Sequence, residues 1–346
     1  MLEITTQRLR PSQALETLSA HWGQKGEDEM VRYVYSPITQ IAITINILLM
    51  SLLLFDTVSS ADSILGKKPS YALLGSVSSV PNRKAIGTRI WVPGLDDGFV
   101  PQGMTFAENQ ILVSLYQSTD VNKSSGPSRV YRVDPKTASI TGQFDLPPDV
   151  GHADGLAYAG NNVLYVADTH RKKIYKLDLE KAIKQGNCNE SVLSNIIVDK
   201  SMGPAFLTYD GKYLWFGKYS KSKSDMPKIF KVDPDNVFKE WPDINKVSPH
   251  MASLSFEIDT ESQGATFDKE GYLWLSQSGS KMGKVQKVDP SNGKVLKEYE
   301  LMAGVEDLAI APDGKIWSVS EAGTKRWLRW QTFYPLIFEI DITKLK

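Results

Sequence analysis

The phrase SRVYRVDPKT at 128–137 returns four more times along this chain, as KKIYKLDLEK (172–181), PKIFKVDPDN (227–236), GKVQKVDPSN (283–292) and PLIFEIDITK (335–344). Each copy alternates apolar and polar residues, the pattern of a half-buried strand, and closes on an aspartate: Asp134, Asp178, Asp233, Asp289 and Asp341. Recurrence about every 50 residues calls for a repeat architecture before any other reading.

The residues around each copy share one grammar. A first strand (PQGMTF, HADGLAY, GPAFLTY, SQGATF, VEDLAIA) turns into a second, aromatic-rich strand (QILVSLY, NVLYVAD, KYLWFGK, GYLWLSQ, KIWSVSE). The aspartate-terminated strand is third, and a fourth returns outward (SITGQFDLP, VLSNIIVD, SLSFEID, VLKEYEL). Four antiparallel strands of this kind make one propeller blade. The last repeat lacks a fourth strand, and AIGTRIWVPGL at 85–95 is available to supply it, which would remove an open sheet edge. The expectation is an all-β, five-bladed β-propeller over 85–346. A sixth blade remains the alternative if 236–262, longer than one return strand needs, holds a degenerate repeat.

Ahead of the ladder, residues 1–35 are polar and read as a tail, and 36–61 contain the uncharged run Ile38 to Phe55. That run has the length of a short transmembrane helix or a signal-peptide core. Met30, Arg32 and the small residues Ser59-Ser60-Ala61 fit a signal peptide whose translation starts at Met30, with a membrane anchor as the other reading. Residues 62–84 read as a linker. The expected location is therefore the cell envelope, periplasmic or extracellular.

Forty basic and forty acidic residues among 346 cancel, so no basic bias points to nucleic acid, and a monomer is expected. The single Cys188 excludes an internal disulfide framework, and the four histidines are too scattered for a metal-ligand signature.

Propeller ligands bind where the innermost strands begin. Aligned blade on blade, Gln102, Asp154, Pro204, Gln263 and Glu306 form one column, followed by Gly103, Gly155, Ala205, Gly264 and Asp307. Tyr116, Asp168, Lys218, Gln277 and Ser320 form a second, with Glu321 just beyond. Asp154, Glu306 and Asp307 are the candidate acid–base residues, and Asp154 and Glu306 the candidate ligands of a hard cation such as calcium. Carboxylates crowded this way need a cation or a shared proton. The basic aromatic loop GTKRWLRWQTFYP (323–335) is an insertion in the last blade; Trp327 and Trp330 make it a candidate ligand, partner or membrane contact. The expected function is binding of a small ligand or protein at the channel mouth.

HADGLAYAGNNVLYVADTHRKKIYKLD resembles an NHL-type repeat, as found in gluconolactonase-like and strictosidine-synthase-like propellers. Over about 100–346 the order of PQGMTF, GPAFLTYDGKYLWFGKYS, GKVQKVDPSNGKVLKEYEL and FYPLIFEIDI resembles the plant-type glutaminyl cyclotransferases, which are five-bladed. That resemblance implies the fold and, as the alternative function, an enzyme: a cyclotransferase or a metal-dependent lactonase or esterase. The family's second-blade acid falls on Asp154. Its fourth-blade acids would fall near Gln263 and Ala265, where this chain has none; its acidic pair is Glu306 and Asp307, one blade later.

Overall fold

The computed structural model describes residues 63–72, 77–238 and 245–346. The expected tail, hydrophobic segment and start at Met30 lie outside the described residues. Among those described, no helix is long and apolar enough to cross a membrane.

Five antiparallel sheets follow one another. The first blade is β2 (Phe99–Ala107), β3 (Gln110–Gln117), β4 (Ser128–Val133) and β5 (Ile140–Asp145). The second is β6 (Ala153–Tyr158), β7 (Val163–Asp168), β8 (Lys173–Asp178) and β9 (Val192–Val198). The third is β10 (Phe206–Tyr209), β11 (Leu214–Gly217), β12 (Lys228–Val232) and β14 (Leu254–Glu257). The fourth is β15 (Ser262–Phe267), β16 (Leu273–Ser278), β17 (Gly283–Val288) and β18 (Val295–Leu301). The last is β19 (Val305–Ile310), β20 (Ile316–Ser320) and β21 (Leu336–Ile340), whose outer neighbour is β1 (Ile86–Trp91), paired antiparallel from Ile86–Ile340 to Trp91–Leu336.

The sixth blade is not formed. Within 236–262, β13 (Asn245–Val247) adds in parallel to the outer edge of the second blade, and β14 completes the third. Both sheets needed an outer cover, and one stretch of chain serves both. The expected linker is likewise more than a spacer. Leu65 bridges β1, its N–H donating to the Arg89 carbonyl at 2.9 Å and its own carbonyl accepting from Trp91 at 3.0 Å. Ser70 donates its N–H to Asp96 at 2.7 Å, and Ala72 and Val80 are buried. The apolar residues Ile64, Leu65 and Tyr71 had a hydrophobic surface to cover, namely the outer face of the last blade.

The recurring aspartates do the same job five times. Each accepts a backbone N–H two or three residues on: Lys136 to Asp134 at 2.8 Å, Lys181 to Asp178 at 3.0 Å, Asp235 to Asp233 at 3.0 Å, Ser291 to Asp289 at 2.9 Å and Thr343 to Asp341 at 3.1 Å. They are turn starters at the surface end of the third strands.

The second-strand aromatics join neighbouring blades. Trp317 of the last blade packs on Phe106 of the first with centroids 6.0 Å apart, Tyr165 on Tyr209 at 6.4 Å, and Trp215 on Phe267 at 5.4 Å. Trp274 instead stacks on Tyr299 within its own blade. Two indoles are also tethered, Trp215 donating to Asp210 at 2.7 Å and Trp274 to Asp268 at 2.9 Å.

Candidate functional site

Four of the five innermost strands carry a bulge near their start: between Pro101 and Met104 in β2, Ala153 and Gly155 in β6, Ser262 and Gly264 in β15, and Val305 and Leu308 in β19. A bulge breaks strict alternation and re-aims a side chain. These are the positions of Gln102, Asp154, Gln263 and Glu306. The carbonyls freed there are taken by second-strand serines: Ser114 donates to Ala153 at 2.8 Å and Ser276 to Glu306 at 2.5 Å, each across a blade boundary.

One step inward the blades nearly touch. A Cβ on Gly155 would lie 2.6 Å from the Leu207 nitrogen, and one on Gly264 would lie 2.3 Å from the Asp307 Cα. With glycine or alanine at four of these positions, the axis has room for one side chain, and Asp307 fills it. Its carboxylate accepts backbone N–H groups from Met104 (3.0 Å), Leu156 (3.4 Å), Ala265 (3.2 Å) and Leu308 (2.9 Å). Burial pushes its pKa well above the usual carboxylate range against the pull of those amides. Asp307 thus ties four blades together at the axis, and both its oxygens are engaged.

The mouth is built by the last, first and second blades. His152 Nε2 lies 2.8 Å from Asp154 Oδ1 and 3.0 Å from Gln102 Oε1. The Gln102 amide in turn donates to Glu321 at 3.2 Å, and the Trp327 indole donates to the same Glu321 oxygen at 2.6 Å. Glu306 and Glu321 are buried against each other, so the charge of either carboxyl opposes ionisation of the other. Burial is the main cause that raises Glu306 well above its ordinary value, with the charges of Glu321 and Asp154 adding to it. Burial likewise pushes Glu321 up to about 7, while Trp327, His152 and Gln102 hold it down. Burial raises Asp154 as well, against the pull of His152. His152 goes up because Asp154 outweighs the cost of burying the imidazolium.

Aromatic rings wall this cluster. Tyr116 lies against the His152 ring, centroids 4.1 Å apart. Trp327 and Trp330 stack at 4.7 Å and 25°. Tyr219, from the third blade, faces Glu261, Glu306 and Glu321, and burial raises its phenol pKa. The 323–335 loop reaches across to the first blade through Arg326, which donates to the Tyr116 hydroxyl and, at 3.2 Å, to the Val121 carbonyl.

Gln102, Asp154, Glu306, Tyr116 and Trp327 therefore meet in one network, with Trp330 behind Trp327. Asp168 sits beside it, fully buried: its Oδ1 accepts the N–H groups of His152 (3.3 Å) and His170 (3.1 Å), its Oδ2 has no partner, and burial pushes it up to about 6. Gln277 turns away, donating to Gln286 at 2.6 Å, which continues to Asp259 and Glu298. Gln263 and Lys218 are half-buried and, among the described residues, no side-chain hydrogen bond or ion pair joins them to the network. Nor, among the described residues, are three or more His, Cys, Asp or Glu side chains arranged to hold a metal ion.

The residues that sequence reasoning passed over are His152, Glu321, Arg326 and Tyr219. His152 is two positions before Asp154, and this spacing is the signal that could have brought it in. Glu321 stands one past the second polar column.

No family model matches the chain, and no curated protein matches it. Solved structures similar to it include the glutaminyl cyclase of Myxococcus xanthus, 12% identical over 74% of this chain and 94% of that one with a TM-score of 0.49. Others are a streptogramin B lyase (15%, 74% and 67%, 0.36) and the PQQ-bound aldose sugar dehydrogenase of Streptomyces coelicolor (15%, 65% and 78%, 0.38). The five-bladed propeller architecture rests on the strand pairing itself.

Proposed function

We propose that the mouth binds a small cationic ligand, in chemical terms a primary or secondary amine. The observation that carries this is the Glu306–Glu321 pair, two carboxyls buried against each other, with Glu306 Oε1 left without a partner. Like charges this close cannot both ionise in a dry site, and an ammonium beside them lets them. An isothermal titration of the full chain with n-butylamine at pH 8 tests the reading, with n-butanol as the neutral control. Expected is saturable binding of the amine alone, weakened at least tenfold in Glu306→Gln; equal binding of amine and alcohol would end it.

The competing reading is catalysis. His152 held between Asp154 and Gln102, beside a Glu321 raised to about 7, gives two groups able to exchange protons near neutrality. Incubation with a Gln-initiated peptide and a lactone panel, with and without calcium, follows ammonia loss and acid release. Turnover abolished by Asp154→Asn and Glu306→Gln favours an enzyme; a folded protein without turnover favours a binding module. The envelope location and the N-terminal anchor or signal peptide stand as part of the same proposal, and N-terminal sequencing of the native protein decides between cleavage and anchoring.

A further inference from the structure

Arg326 is 7% exposed, and every partner of its guanidinium is neutral: the Tyr116 hydroxyl, the Val121 carbonyl, and the faces of Tyr116 and Trp327 at 5.5 and 4.4 Å. Its Nε–H is buried and has no partner. Arginines on the third strand of the first blade instead meet carboxylates, Arg129 with Asp145 at 2.6 Å and Arg132 with Glu180 at 2.7 Å. A guanidinium taken out of water without an anion loses more in hydration than ring faces return. The nearby acids do not relieve it. Glu321 bonds to the indole N–H of Trp327, so one indole ring separates the lone buried cation from the carboxyl pair. A cation lacking an anion therefore lies one ring away from a carboxyl pair whose Glu306 Oε1 has no partner.

We propose that Arg326 is a carboxylate-binding subsite of the mouth, so that its ligand is a zwitterion of short-peptide length, amine on Glu306 and Glu321 and carboxylate on the Nε edge of Arg326. The planar fork of arginine presents Nε–H and Nη–H side by side, the geometry that takes a carboxylate through two bonds. Entry requires the 323–335 loop to lift. Its tip is exposed at Leu328, and it leaves the blade through Gly323, whose φ of 90° only glycine adopts at ease. The amine end of this ligand rests on the reading of the Glu306–Glu321 pair given above, whereas the carboxylate end rests on Arg326 alone.

Three probes separate the two ends: triglycine, triglycinamide and N-acetyltriglycine, titrated calorimetrically into the full chain at pH 7.5. Expected is triglycine at least tenfold tighter than its amide, the gain of a charge-assisted bond to a buried partner. In Arg326→Gln that preference disappears while the amide keeps its affinity, and Arg326→Lys restores part of it. The wild-type comparison decides by itself should Arg326→Gln not fold. Equal affinity for triglycine and its amide overturns the arginine subsite and leaves the amine reading standing. Binding of the acetyl peptide but not of the amide keeps the subsite and overturns the amine reading. No binding of any probe overturns both.

Discussion

The same five innermost strands present two unlike ends to the central channel. At their start lie Gln102, Asp154, Gln263 and Glu306, with His152 and Glu321 among them; at their finish lie Phe106, Tyr158, Tyr209, Phe267 and Ile310. The far end is a shallow dish of about 440 Å³ whose rings are wedged between blades, Phe106 on Trp317 and Phe267 on Trp215. The rings of Phe106, Tyr209 and Phe267 there each have a packing task that accounts for them. The near end is built at a cost, with bulged backbones, two acids buried against each other, and unpartnered buried atoms on Glu306, Asp168 and Arg326. Stability explains one end and not the other, and that asymmetry locates function.

Asp307 stands between the two ends and should give the largest effect. Asp307→Ala strands four backbone N–H groups on four blades, so a loss of about 3–5 kcal/mol is expected in urea unfolding. A loss under about 1 kcal/mol would mean the blades do not need an axial tie. At the far end, Phe267→Ala should cost about 2 kcal/mol, less than a fully buried ring because Phe267 is half-exposed, while leaving n-butylamine affinity unchanged. A change in that affinity would erase the division between the ends.

Much of this division is legible in the sequence, and the illegible part has a physical reason. Blade grammar is written in short-range alternation and in five turn aspartates, so the propeller follows from local pattern alone. The sequence column brought Gln102, Asp154 and Glu306 together because equivalent positions in a cyclic repeat converge on the axis. Three things escape a column. Gln277 shares a register position with Asp168 yet bonds along its own sheet, because Gln286 offers an amide within reach. Asp307 follows Glu306 directly but points into the axis, since the glycines around it admit one carboxylate. Arg326 and Trp327 belong to an insertion, which no repeat alignment places, and Tyr71 and Ser78 lie in a stretch that composition marks as linker yet hold Phe333 of that insertion by ring contact and by hydrogen bonds.

At the near end the expected sign reverses. Glu306→Gln removes one member of a like-charged buried pair, so stability should hold or rise by about 1 kcal/mol while n-butylamine affinity falls at least tenfold. A substitution that strengthens the fold and weakens binding is the signature of a residue kept for function. Destabilisation by more than about 2 kcal/mol would instead make Glu306 a structural partner like Asp307.

The pH dependence of stability has a slope of at most about 1.4 kcal/mol per pH unit for each proton. Surface carboxylates such as Asp341, lowered to about 2 by its bonds to Lys344 and Thr343, contribute stability above the unfolded pKa and lose it as pH falls through the folded one. The mouth acts oppositely. Asp168 at about 6 and Glu321 at about 7 hold protons in the folded chain that the unfolded chain has released, so their contribution is complete below about pH 4 and lost as pH rises to 6 and 7. His152, raised above its ordinary value by Asp154 against the cost of burial, adds to that decline. Calorimetric Tm should therefore be highest near pH 5 and fall toward pH 8, and Glu321→Gln should flatten the portion between about 4.5 and 7. Saturating n-butylamine should flatten it too, since an ammonium takes over the role of the bound proton where that proton is lost. A Tm that climbs from pH 5 to 8 in the wild-type protein would show that the mouth carboxyls ionise without cost, and the contrast between the two ends of the channel would then be one of composition only.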